Sequence, residues 1–154
     1  MNNRIVEGSF STFGFISNTL APSVQAYWFI PRLGIGELAQ FMVDTGASNT
    51  CLNGIHAYGL RGKLRSGTLT KSFGIAGSCE YYHERATLVF IDSDNERFSR
   101  TISMSIQKIE DHHLHNPDYD VLQCPNLLGR DILQHCRLEH DFPDGRITLR
   151  FTYR

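Results

Sequence analysis

Asp44-Thr45-Gly46-Ala47-Ser48 follows directly on the apolar run Phe41-Met42-Val43. The run reads as a strand, so the Asp44 carboxylate stands at a strand end, in a tight turn whose glycine lets another backbone come close. The chemistry open to such a group is acid–base activation of water, which takes two carboxylates. One, ionised, draws a proton from water; the other, protonated, donates to the developing oxyanion. Two carboxylates within hydrogen-bonding distance do not both ionise cheaply, so they share one proton and titrate as a unit. No second Asp-Thr-Gly or Asp-Ser-Gly occurs in the 154 residues. A mechanism built on the pair therefore needs two copies of the chain, and it needs no metal, no cofactor and no covalent intermediate.

The elements that must hold this turn read mainly as strands. Residues 1–23 mix Phe10, Phe13 and Phe15 with Ser, Thr and Gly and close on Pro22, which suggests an arm or an edge strand ahead of a domain over 24–154. The β-prone run from Val24 to Ile30, the turn chemistry of Gly34-Ile35-Gly36 and the return from Leu38 to Val43 predict a hairpin feeding Asp44. Further strands are expected at Asn49 to Leu52, Ala86 to Ile91, Arg100 to Ile109 (with Ile102, Met104 and Ile106 on one side) and Arg146 to Tyr153. Ile55 to Leu60 reads as a helical turn. Leu127 to Leu133 leads into a helix in which Ile132, Leu133 and Cys136 share a face. Short strands separated by turns make an all-β domain, closed or sandwich-like, with one helix.

Other groups point to chemistry less well. His112, His113 and His115, near Asp111 and Asp118, lie in a polar loop at adjacent spacing, which does not favour a metal site. Cys51 and His56 are close in sequence, but Cys51 takes an apolar strand position, so a Cys–His hydrolase is a poor reading. Cys51, Cys79, Cys124 and Cys136 are widely spaced, with no CxxC pair, and are expected to be thiols in a reducing compartment. Trp28 and the aromatic early strands are read as core or interface.

Fifteen basic residues against sixteen acidic ones leave a formal charge of −1, and no basic stripe with interleaved aromatics is present. Nucleic acid is therefore a poor partner. No segment approaches the ~20 apolar residues of a membrane span, and residues 1–8 carry no continuous apolar stretch of the kind that directs secretion. A cytoplasmic, non-membrane protein is the expectation.

Three elements in this order resemble the retroviral-type (retropepsin-like) aspartic peptidases, in their cellular and bacterial branch. They are the apolar strand into Asp44-Thr45-Gly46-Ala47-Ser48 with Thr50-Cys51-Leu52, the glycine-bracketed Gly74-Ile75-Ala76-Gly77, and Leu127-Leu128-Gly129-Arg130-Asp131-Ile132-Leu133. The resemblance covers roughly residues 24–151. It implies a small closed β-barrel of the acid-protease type with one short C-terminal helix, homodimeric, with one Asp44 from each subunit and a protein or peptide as substrate. Thr45 would hydrogen-bond across the dimer beneath the carboxylates, and Gly46 would admit the substrate backbone. Ala47 lacks the hydroxyl that bilobal relatives often carry there, so the pair should hold its proton to higher pH, with an optimum at mildly acidic pH. Ser48, Gly74, Ile75, Ala76 and Gly77 would face substrate, the last four as a flap tip closing by backbone hydrogen bonds. Arg130 and Asp131 would be structural or interface residues. In several viral members an acid at the Ser48 position pairs with this arginine; here its partner would be Asp131 or a carboxylate across the interface.

Taken alone, an aspartate in a turn caps an Asx-turn, and Gly74 to Gly77 makes an ordinary hairpin tip. The ordered trio favours an endopeptidase. The competing readings are a catalytically silent dimeric peptide-binding module on the same fold and an ion-binding β domain using the histidine loop.

Overall fold

A computed structural model describes residues 3–14, 19–74 and 77–152. The expected hairpin comprises β2 (Leu20–Ile30) and β3 (Ile35–Val43), in register from Ser23↔Met42 to Ile30↔Ile35. Alternation decides its faces. Val24, Ala26, Trp28 and Ile30 on one strand, and Ala39, Phe41 and Val43 on the other, are buried, because successive side chains point to opposite sides. Gly34 takes φ +64° in the connecting turn, where both Leu33 and Gly34 donate to the Ile30 carbonyl. Only a residue without Cβ adopts that conformation readily.

β1 (Asn3–Thr12) pairs with β2 on one side and with β10 (Arg146–Thr152) on the other. In the strand order it lies between them, with β10 along Asn3–Ser9 and β2 along Ser9–Thr12. Val6 belongs to the core. Pro22 does not close the segment but lies within β2, just outside the ladder to β3. Phe10 pairs opposite it.

The remaining elements are β4 (Cys51–Leu52), α1 (Gly54–Gly59), β5 (Thr70–Gly74), β6 (Gly77–Ile91), β7 (Arg97–Gln107), β8 (Asn126–Leu128), α2 (Arg130–Leu133) and β9 (Cys136–Asp141). All ten strands join one sheet in the order β5-β6-β7-β4-β8-β3-β2-β1-β10-β9, and β2 also pairs with β6 over Tyr27↔Val89 to Phe29↔Thr87. The protein is mostly β, as expected, with few helices. The sheet folds back on itself through the β2–β6 contact, but it is not the closed barrel expected. Its order ends in two edge strands, β5 and β9. Stacked Phe90 and Phe98, with Phe151 edge-on to Phe98 at 5.1 Å, join β6, β7 and β10 in the core.

α2 is a single turn, shorter than the periodicity suggested. Cys136 does not share its face but opens β9, because β10 takes up residues 136–141 as a hydrogen-bonded partner. Among the described residues no helix is long and apolar enough to cross a membrane.

The turn between β6 and β7 clamps β1. Asp92 is buried and accepts from Arg4 Nη1 at 2.8 Å and from the backbone N–H groups of Asp94 and Glu96, while Ser93 N–H donates to the Ile5 carbonyl. The Arg4 guanidinium, then these backbone donors, hold the Asp92 carboxyl below the usual carboxylate range. A carboxyl depressed in the folded state contributes stability above its unfolded pKa, about 3.9, which is lost as pH falls through the folded value. Arg4→Met is therefore expected to lower the urea midpoint at neutral pH. The difference from wild type should shrink as pH falls through the depressed folded value of Asp92, because the carboxyl then takes up its proton and the pair is lost in wild type too. A constant difference across the pH series would show that the pair contributes through packing alone.

Candidate active site

The Asp44 loop crosses over another strand. β3 ends at Val43, opposite Leu128 of β8 in parallel register, and β4 begins at Cys51, opposite Leu127 of β8 in antiparallel register. β8 is thus inserted between the strands that enter and leave the loop, and residues 44–50 pass over its end. The crossing is close. A Cβ at Gly129, the residue after β8, would lie 2.4 Å from the Asn49 carbonyl carbon and 2.9 Å from Thr50 N. Both are backbone atoms that cannot swing aside, so only glycine fits.

Backbone bonds tie the loop to what lies below. Asp44 N–H donates to the Leu128 carbonyl, Arg130 N–H to Ala47 and Asp131 N–H to Ser48. Beneath them Thr50, fully buried, is the hub. Its N–H and hydroxyl both donate to the Asp131 carboxylate, the hydroxyl at 2.6 Å, and its hydroxyl oxygen accepts from Gly129 N–H. The Asp131 carboxylate also accepts from Ile132 N–H in the first turn of α2. Asp131 is therefore not the partner of Arg130. The Arg130 guanidinium donates to Ser48 Oγ at 2.9 Å and to the Thr45 carbonyl at 3.4 Å. A hydroxyl takes the place at which an acid was anticipated, and Ser48 holds the turn from its exposed side.

Asp44 is partly exposed at the top of this platform. One carboxylate oxygen, Oδ1, accepts from Gly46 N–H at 2.8 Å, and Ala47 N–H closes the turn on the Asp44 carbonyl. This is the geometry of an Asx-turn. Among the described residues Oδ2 receives no hydrogen bond and no cation pairs with the carboxylate. A Cβ on Gly46 would lie 3.1 Å from Oδ1, tight enough to push the carboxylate. Thr45, Gly46 and Ser48 are exposed around it, and Ala47 is half-buried.

Below, Cys51 is a neutral thiol. Burial first, then the nearby Asp131 and Asp44 carboxylates, push it up to about 12. It donates to the Asn49 carbonyl, whereas His56 faces Asn126 at 3.0 Å and the edge of Trp28. The two residues belong to different networks. All four cysteines are free.

The glycine-bracketed segment is a hairpin between β5 and β6, paired Gly74↔Gly77. Ile75 and Ala76, the expected flap tip, lie outside the described residues. β6 pairs with β7 only from Tyr81 onward, so residues 77–80 have β5 as their only ladder partner. The hairpin extends past the sheet. Its base connects to the loop platform: His83 of β6 bonds Thr70 Oγ1 at 2.6 Å and faces Ser105 Oγ at 3.4 Å, and Ser105 N–H donates to the Thr50 carbonyl. Sequence reasoning assigned no role to Thr50, His83 or Ser105. A polar residue wedged against the apolar Cys51-Leu52 pair was the one available signal for Thr50. The histidine loop is built for a structural end: a 3-10 turn at Asp111–His115, with Glu110 N–H donating to His113 Nδ1 and the His112 and His113 rings 4.0 Å apart.

Thr50→Val keeps the shape of the hub but strands Gly129 N–H and removes a donor from Asp131. A cost of about 1–3 kcal/mol is expected, read as a lower urea midpoint with unchanged denaturant slope. An unaltered midpoint would mean that water replaces the lost partners and that the hub is not buried in solution. No protein-family model matches the chain, and no curated protein matches it either.

Proposed function

We propose that the chain is an aspartic endopeptidase that works as a homodimer, one Asp44 coming from each copy. The observation that carries this reading is the state of Asp44. The residue is partly exposed and its carboxylate is fixed through Oδ1, while Oδ2 has no hydrogen-bond donor and no cation partner among the described residues. A carboxylate used only to shape a turn does not need such a foundation. Here a crossing loop, an obligatory glycine and a buried Thr50–Asp131 hub all fix the position of one side chain. The order of elements, with an extended glycine hairpin after the Asp44 turn and Arg130-Asp131 at the start of a helix, supports the retropepsin-like resemblance in the acid-protease form of its fold.

In the dimer, two Asp44 carboxylates share a proton. The ionised member takes a proton from the water held between them as its oxygen attacks the peptide carbonyl carbon. The protonated member donates to the carbonyl oxygen. Collapse of the tetrahedral intermediate breaks the C–N bond, with a proton passed to the leaving amine. The β5–β6 hairpin, at Gly74 and Gly77, would lie along an extended peptide and exclude water. Four free thiols suit a reducing, cytoplasmic setting.

Asp44→Asn is the decisive variant, because an asparagine oxygen accepts from Gly46 N–H as well as the carboxylate does and the Asx-turn survives. Incubated with a diverse peptide mixture at mildly acidic pH, wild type should cleave and the variant should be slower by about 10²–10⁴-fold. Equal cleavage by both proteins would remove Asp44 from the mechanism. A wild type that dimerises and binds peptides without cutting any would favour the silent peptide-binding module.

A further inference from the structure

We propose that Cys79 and Cys124 are a modification site: they close into a reversible disulfide that fastens the β5–β6 hairpin to the segment leading into β8. The effect of this bond on cleavage rests on the peptidase reading; its formation does not. The two thiols are far apart in sequence, but the fold turns them toward one place. Tyr81 stands opposite Gln107 in the β6–β7 register, so their side chains share a face, and Cys79, two residues before Tyr81, points to the same side. The Gln107 side chain reaches across to the segment that carries Cys124. Its Oε1 accepts from Gly54 N–H at 3.1 Å. Gly54 is packed so closely there that a Cβ on it would lie 2.6 Å from the Cys124 carbonyl oxygen.

The electrostatics agree with this placement. Burial pushes the Cys124 thiol up to about 11; a hydrogen bond with the Gln107 side chain opposes the rise, and Cys79 adds to it. The Tyr81 hydroxyl is raised by burial first, then by Cys51, Cys79 and Cys124. Three thiols therefore surround one phenol. Among the described residues no three His, Cys, Asp or Glu side chains are placed to hold a metal ion.

The three thiols differ in what they can do. Cys51 is buried, held up to about 12 and donated to the Asn49 carbonyl, so it is inert. Cys79 is exposed and Cys124 half-buried. An exposed thiol meets external oxidants, and a second thiol beside it resolves the product. A disulfide brings its Cα atoms to within about 7 Å. Cys79 stands on the part of β6 that has β5 as its only ladder partner, beyond the Lys108 N–H bond to the Glu80 carbonyl. This overhang can be drawn onto Cys124 without breaking a rung between β6 and β7.

The oxidant is a low-molecular-weight disulfide such as oxidised glutathione. Cys79 loses its proton and its sulfur attacks one glutathione sulfur. The glutathione S–S bond breaks, and the first glutathione leaves with the electron pair and takes up a proton. Cys124 then gives up its proton, its sulfur attacks Cys79 Sγ, and the second glutathione leaves as a thiol. Two protein thiols are oxidised and one glutathione disulfide is reduced to two thiols.

The test equilibrates the full chain in glutathione buffers from reduced to oxidised, traps the thiols by alkylation and maps linked peptides by mass spectrometry. Wild type and Cys136→Ser should yield one linkage, Cys79 to Cys124. In the linked protein, amide hydrogen exchange over residues 70–74 and 77–80 should slow by about tenfold or more. Dithiothreitol should reverse both effects, and Cys79→Ser and Cys124→Ser should show neither. The wild-type map needs no variant to fold. Glutathione retained on Cys79 with no onward bond, a Cys79–Cys79 linkage between copies, thiols alkylated at every poise, or unaltered exchange in the linked protein would each overturn the proposal. Cleavage is read on the same samples, each protein oxidised against itself reduced. A loss of about tenfold or more in wild type, absent in Cys124→Ser, joins the bond to catalysis; equal cleavage by linked and reduced wild type refutes that control. Linkage and slowed exchange in a protein that cleaves peptides in neither state uphold the thiol pair and remove the peptidase reading, so the two failures are distinguishable.

Discussion

The candidate site depends on one buried hydroxyl. Thr50 Oγ1 donates to the Asp131 carboxylate and accepts from Gly129 N–H, so it joins the loop that leaves β3 to the segment that runs from β8 into α2. Those pieces lie some eighty residues apart in sequence, and the loop closure that unites them carries an entropic cost. A carboxylate receiving several donors in a buried setting is among the stronger attachments available to a protein. That strength allows residues 44–49 to be exposed, polar and turn-like without wandering.

From this constraint the other features follow in sequence. Because the loop passes over the end of β8, its backbone presses on the residue after that strand, and Gly129 has no room for a Cβ. Because Asp131 is spent on Thr50 and on the first turn of α2, it is not available to Arg130. The guanidinium turns outward to Ser48 Oγ and the Thr45 carbonyl instead. The loop is therefore gripped from beneath by a carboxylate and from its open side by a cation. Asp44, unlike Asp131, keeps an oxygen with no partner among the described residues. Rigid surroundings and an unsatisfied reactive group are the combination expected where geometry, not stability, has been selected.

Much of this could be read in the sequence, and the parts that could not share a cause. The β2–β3 hairpin and the strand into Asp44 were legible because period-two alternation and glycine turn chemistry are local signals. The role of β1 was not, because its defining partner, β10, lies at the opposite end of the chain, and its Ser, Gly and aromatic content carries no clean alternation. Pro22 misled for a similar reason. A proline reads as an end unless one knows which side of the strand goes unpaired. That Asp131 does not pair with Arg130 was not legible, because charge suggests charge, while within the chain the fold supplies a serine hydroxyl and a carbonyl. The sheet's failure to close could not be read from local pattern either, since closure depends on how far β2 and β6 stay in register, and they do so over three pairs only.

In the dimeric peptidase proposed above, each chain carries half of a reactive centre, and this has an energetic logic. A single Asp44 carboxylate stands partly exposed, with no cation partner among the described residues. Bringing a second one beside it costs solvation and Coulomb energy, which the pair relieves by retaining one proton. On that reading, the proton that would make the pair an acid–base catalyst belongs to the contact between chains. Any surface that drives association must offset that cost before catalysis is possible. Under that proposal, reactivity and assembly rise and fall together with concentration by mass action.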